Sequence, residues 1–175
     1  MPINADKPRL WKADTARSVD FYNEWFMRFA PEAYRSQRVE AAGRVESALE
    51  RTANLTDVSA SVFRSYPDTL TMLRMATAPP IARDRLAGLA CVSRGLVKTL
   101  EEGRLPVRAR PESLEAGLDK LGEVIERLVD EGIFPWIGER REPAEAEVRR
   151  AATVVADRLC GTRADPIIRN AQEQR

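Results

Sequence analysis

The chain contains no histidine, only two cysteines and only four lysines in 175 residues. Without histidine there is no Ser-His or Cys-His nucleophile pair, no His-ligated zinc, and the commonest general base is missing. Cys91 and Cys160 are too few for a structural zinc site. They lie far apart on apolar helical stripes and read as buried thiols of a reducing cytoplasm, not as a disulfide. No Gly-x-Gly-x-x-Gly and no Walker A lysine loop occurs, which excludes nucleotide binding by those routes. The longest uncharged stretches run to about eight residues, as from Leu86 to Ser93. A membrane span needs about twenty, so no transmembrane helix is expected. The N-terminal residues 1–8 lack the apolar centre of a signal peptide, which points to a cytoplasmic protein. Convincing strands, internal repeats and low-complexity tracts are also lacking.

What is present is an ordinary globular balance, 43% apolar and 31% charged, in a chain long enough to bury a core without metal or disulfide. The net charge of +1 hides an uneven distribution. Between Arg74 and Arg110 stand eight basic residues (Arg74, Arg83, Arg85, Arg94, Lys98, Arg104, Arg108, Arg110) against Asp84, Glu101 and Glu102, a local +5. Residues 111–147 hold eleven acids and four bases, a local −7. Such asymmetry suits one face for a polyanion and another for solvent. The basic side chains are 24 Arg to 4 Lys. Guanidinium forks match phosphates and guanine edges better than ammonium groups do, although a GC-rich genome enriches arginine as well.

Apolar spacing near 3.6 residues and well-placed punctuation predict an all-α protein of about seven or eight helices. Asp14 is a good N-cap for a helix to about Phe29. Pro31 then breaks the chain and starts a second helix, ended by Asn54. Short helices follow over 59–66 and 67–76. After Pro79-Pro80, residues 81–91 and 94–102 read as helix with a weak point near Ser93, and Gly103 ends that region. Residues 104–110 form a basic connector. The clearest helix carries Leu114, Leu118, Leu121, Ile125 and Leu128 at intervals of four and three, with Gly132 as its stop. Residues 133–137 are apolar, too short for a helix, and expected to plug the core. Pro143 opens a helix that Gly161 ends. A last helix starts at Pro166 and the sequence stops inside it, which suggests the front part of a longer protein. The expected division is a helical N-terminal domain over 1–162, then residues 163–175 as the start of a truncated helix.

Carboxylates remain as the route to catalysis. Metal-assisted phosphodiester cleavage needs two or three acids converging on Mg2+, often beside a lysine. Asp119-Lys120 sits on the polar side of the most periodic helix, and Lys98 precedes Glu101-Glu102 as an ordinary surface charge. No Asp followed by (Asp/Glu)-x-Lys on a hairpin is found, so no metal ligands are assigned. Pro79-Pro80-Ile-Ala-Arg83-Asp84-Arg85-Leu86 offers two readings. Its arginines can hold phosphates at a helix start, or Asp84 can pair with one of them and make the motif structural. Asn170, Gln172, Glu173 and Arg175 form a polar set that by itself reads as a solvated helical face.

The whole chain resembles the N-terminal part of XamI-type restriction endonucleases. The resemblance is carried by Pro2-Ile-Asn-Ala-Asp-Lys-Pro-Arg-Leu-Trp11, Asp20-Phe-Tyr-Asn-Glu-Trp-Phe-Met27, Pro79-Pro-Ile-Ala-Arg-Asp-Arg-Leu86, Ala151-Ala-Thr-Val-Val-Ala-Asp-Arg-Leu-Cys160 and Asp165-Pro-Ile-Ile-Arg-Asn-Ala-Gln-Glu-Gln-Arg175. It implies double-stranded DNA as partner, Mg2+-dependent hydrolysis within a short recognition site, and a companion methyltransferase. It also implies an α/β nuclease core with a Pro-Asp…(Asp/Glu)-x-Lys centre, which this sequence lacks. The helix before such a core can carry a supporting acid, and Glu173 is the candidate. Arg74, Arg83, Arg85 and Arg94 would then neutralise phosphates, with Mg2+ held outside this chain. A second copy of the chain is a candidate partner. The rival expectation is a non-enzymatic helical interaction protein whose Leu114–Leu128 stripe packs a partner. A third is a regulator that binds DNA through a helix pair.

Overall fold

The structure, a computed structural model, describes residues 7–161. The expected helix from Pro166, with Glu173, lies outside them. Among the described residues the protein is all-α: α1 (Pro8–Arg51), α2 (Ala60–Ser65), α3 (Thr69–Met75), α4 (Arg83–Leu89), α5 (Arg94–Glu101), α6 (Pro111–Leu128), α7 (Pro135–Glu139) and α8 (Glu145–Gly161). The only β-type pairing there is an isolated bridge between Thr77 and Val129. The described residues fall into two compact units, 7–37 and 38–161. Among the described residues no helix is long and apolar enough to cross a membrane.

In the first unit α1 starts at Pro8, where a missing N–H costs nothing. Asp14 therefore sits inside the helix and does not cap it. Pro31 also lies within α1, so the expected break there is absent. Proline removes one hydrogen bond, to the carbonyl of residue 27. Met27 is 77% exposed, so water can take that acceptor. Aromatic rings run along this stretch of α1, with centroids 6.4 Å apart for Tyr22–Trp25 and 6.0 Å for Trp25–Phe29.

The second unit begins with the C-terminal part of α1, which buries Ala41, Val45, Ala48 and Leu49 at 3.6-type spacing. Asn54 ends this helix as expected, within three consecutive left-handed residues, Ala53, Asn54 and Leu55. The Asn54 N–H returns to the Leu49 carbonyl at 2.7 Å, and Trp136 Nε1 donates to the Asn54 carbonyl at 2.9 Å. The second bond ties a strained turn to the core.

Helix α6 organises the core. It packs against α2 and α4, while α3 packs against α5 and α8. Leu118, Leu121 and Ile125 are fully buried, and Leu114 and Leu128 pack on the same cluster. This corrects the rival expectation: the Leu114–Leu128 stripe faces the protein's own interior and cannot dock a partner. Gly122 lets the Val58 backbone approach, since a Cβ at that position would lie 2.2 Å from the Val58 carbonyl oxygen. α6 ends at Leu128, before Gly132, because Val129 turns extended to meet Thr77. The apolar stretch after Gly132 does plug the core, with Phe134 and Trp136 packed edge to face at 5.4 Å. It also closes one helical turn, α7, started by Pro135. Cys160 is buried, but Cys91 is exposed. α4 ends at Leu89, and Cys91 adopts φ 52°, off the helical stripe.

Candidate nucleic-acid interface

The basic stretch of residues 74–110 folds into α4, α5 and the loops around them. Ser93 caps α5 by accepting from the Leu96 N–H at 3.1 Å, and this fixes where Arg94 emerges. Gly103, at φ +74°, ends the helix and releases the chain into the 104–110 connector. α5 then presents Val97 and Leu100 to the core. Glu101 follows Val97 by four residues, which places it at the edge of the buried stripe.

That placement makes Glu101 the centre of the site. Its side chain is 5% exposed, and each carboxylate oxygen holds one arginine. Arg74 Nε donates to Oε1 at 2.5 Å, and Arg83 Nε donates to Oε2 at 2.5 Å. Arg74 is itself mostly covered and donates also to the Ile81 carbonyl. Its charge is therefore committed to holding α3, α5 and the Pro79-Pro80 segment together. Arg83 is 46% exposed and shows part of its guanidinium to solvent. Sequence reading treated this end of α5 as ordinary surface. The four-residue offset from Val97 was the available signal for Glu101.

The other two acids of the stretch are also engaged. Asp84 meets Arg94 at 3.6 Å, with both side chains well exposed. Such a pair contributes little in water, so Arg94 can exchange Asp84 for another anion. Glu102 is paired with Arg104 and lies 3.9 Å from Lys98. The hydrogen bond from Arg104, reinforced by the nearby charges of Lys98 and Arg83, holds the Glu102 carboxyl below its ordinary range. Three cations are left over. Arg85, Arg108 and Arg110 are exposed and have no acidic partner among the described residues. Of the four arginines picked out in sequence, Arg83, Arg85 and Arg94 thus reach solvent on α4 and α5, whereas Arg74 is a mostly covered brace.

Arg158 on α8, which was not singled out in sequence, performs a bracing role similar to that of Arg74. Its guanidinium donates to the Met75 and Thr77 carbonyls at 2.9 and 3.0 Å and to Asp130 Oδ2 at 2.7 Å. It clamps the Thr77–Val129 bridge, beside the cis peptide before Pro79. A groove of about 450 Å³ is lined in part by Arg74, Pro80, Ile81 and Arg158. Both guanidiniums in its wall are already satisfied, so it is not an anion pocket.

No group of three or more Asp, Glu, His or Cys residues close enough to hold a metal ion occurs among the described residues. The acids nearest the arginine cluster do not fit Mg2+, because the Glu101 oxygens are both occupied by guanidinium groups. No catalytic step is therefore derived through a metal on these residues.

Comparison with known proteins adds two findings. A family model described as XamI restriction endonuclease matches residues 53–175. The type II restriction enzyme SalI of Streptomyces albus G is 51% identical over 175 residues, covering 99% of this chain and 55% of that protein. The chain thus spans about half the length of the curated relative it matches. No solved structure matches it.

Proposed function

Because the chain belongs to the XamI restriction endonuclease family, we propose that it grips DNA for an enzyme that hydrolyses double-stranded DNA within a short recognition site. The observation that carries this reading is the unbalanced charge on α4 and α5. Arg85 has no acidic partner among the described residues, Arg94 holds only an exposed and weak one, and Arg83 is half exposed. These three would contact backbone phosphates. Arg74 would not touch DNA, but would fix α5 and the Pro79-Pro80 segment so that the others stand at set positions. Phosphate contacts of this kind position a protein on a duplex without reading its sequence. The relative's activity as a type II restriction enzyme, together with the lack of a fitting acid cluster in residues 7–161, supports placing Mg2+ and the hydrolytic centre outside those residues. Glu173 would serve as a supporting acid for that centre, the protein would work in the cytoplasm, and two copies would act on the two DNA strands.

The test is binding of the 175-residue chain to duplex DNA as salt is varied. Removing one arginine that neutralises a phosphate should reduce the log–log salt slope by about 0.9. Arg85→Ala is expected to do so with helicity unchanged, and Arg83→Ala and Arg94→Ala likewise. Binding that is absent at low salt, or that shows no salt dependence, would sink the reading.

A further inference from the structure

The connector between α5 and α6 carries two of the three arginines of residues 74–110 that have no acidic partner among the described residues, and the phosphate grip of α4 and α5 does not use it. It is pinned at both ends. The Gly103 and Arg104 N–H groups return to the Leu100 and Thr99 carbonyls at 2.8 and 3.0 Å. Leu105 packs against the core cluster and Pro106 is half-buried. At the far end Arg110 precedes Pro111, and its carbonyl accepts from the Leu114 N–H at 2.9 Å to start α6. Between these anchors Pro106 to Ala109 forms a turn, with the Ala109 N–H 3.5 Å from the Pro106 carbonyl. Val107 stands at its apex and is 99% exposed, the highest value among the exposed large apolar side chains.

A single exposed valine needs no explanation. This one sits on a short anchored turn beside Arg108 and Arg110, and residues 103–110 contain no acid. The combination is apolar at the tip, cationic on the flank and held in place before any ligand arrives. A four-residue turn is under about 7 Å across its ends. The major groove of DNA is about 12 Å wide and the minor groove about 6 Å, so such a turn with its side chains fits the major groove. That groove also offers the one apolar group on base edges, the thymine methyl, and the guanine acceptors that suit arginine.

We propose that residues 104–110 are a base-reading loop that enters the major groove, with Val107 against a thymine methyl and Arg108 and Arg110 on flanking phosphates or guanine edges. The inference rests on the DNA-gripping function above and assigns the loop its specificity. α4 and α5 would supply sequence-independent grip, and the turn would supply discrimination.

The test uses the 175-residue chain and a duplex selected by it from a randomised pool. A matched duplex carries deoxyuridine in place of thymidine and so lacks only the methyl groups. The wild-type chain is expected to bind the thymine duplex about fourfold more tightly per contacted methyl, as burial of one such group implies. Val107→Ala should abolish that difference without altering helicity or melting, because the side chain touches nothing in the fold. Arg108→Ala and Arg110→Ala should weaken binding to the selected duplex, either through a lower salt slope or through a weaker preference for a guanine. If Arg85→Ala weakens binding while the three loop variants behave as wild type on both duplexes, the loop proposal is overturned and the DNA reading stands. If the wild-type chain binds neither duplex, both fall.

Discussion

Single residues in this protein are decided by their partners more than by their type. Arg74, Arg83 and Arg85 are chemically alike and lie within twelve positions of one another. Glu101 takes the first two and leaves the third to solvent. Removing Glu101 would strand the covered Arg74 charge, which typically costs about 3–5 kcal/mol, whereas removing Arg74 leaves Glu101 its bond to Arg83. Exposed pairs behave differently, and Glu147 shows how. One of its oxygens accepts from the Ala144 N–H at 2.8 Å, and Arg141 grips both at 2.6 and 2.7 Å. These bonds, with Arg141 the larger influence, lower its carboxyl from 4.5 to about 2. A depressed carboxylate favours the fold above its ordinary value, and loses that contribution as pH falls towards the folded value. Melting temperature should therefore drop between pH 4.5 and pH 2. Glu147→Gln should flatten this part of the profile in a calorimetric pH series. An identical profile for the variant would show that the contact has no weight in solution.

At the scale of elements, short-range signals in the sequence were followed closely and long-range ones were not. The Ser93 cap, the Gly103 stop, the prolines opening α6 and α7, and the 3.6-residue stripe of α6 all act within a turn or two. The Gly103 stop and the α6 stripe are where expected, whereas Ser93 reads in sequence only as a weak point, Pro111 is not read as a helix start, and no helix is expected at Pro135. The helix start assigned to Asp14 and the break assigned to Pro31 failed for one reason. A cap or a proline sets a preference of a few kcal/mol at most, and a helix flanked by water and favourable residues absorbs it. Contacts between elements leave fainter marks. Glycine is a poor helix former, yet Gly122 is the point of α6 where Val58 comes closest. Gly122→Ala should thus destabilise, although alanine is the better helix former. Overpacking of this kind typically costs about 1–3 kcal/mol, and a denaturant titration would read it as a lower midpoint at unchanged slope. A raised midpoint would mean that Val58 can move aside.

At the scale of the whole molecule, the described residues are all-helical, carry a basic stretch over residues 74–110 and hold no assembled metal centre. Incubated with plasmid and Mg2+, this 175-residue chain is expected to leave the DNA uncut on a gel. Discrete linear products would place the hydrolytic centre within it. The family relationship was also carried by the sequence, through segments such as residues 79–86 and 151–160. In the structure the first is held by Arg74, and the second carries Arg158, which clamps the Thr77–Val129 bridge. The sequence by itself determined the all-α class, most helix limits and the charge asymmetry, since propensity, capping and periodicity act between near neighbours. Only the tertiary structure decided which arginines remain free, that Glu101 is buried, and that the Leu114–Leu128 stripe belongs to the core. Those outcomes join residues 27 positions apart, as in Arg74–Glu101, or 83 apart, as in Arg158–Met75. Ion-pair choice and burial at such separations follow from the packing of the whole chain, which no local pattern records.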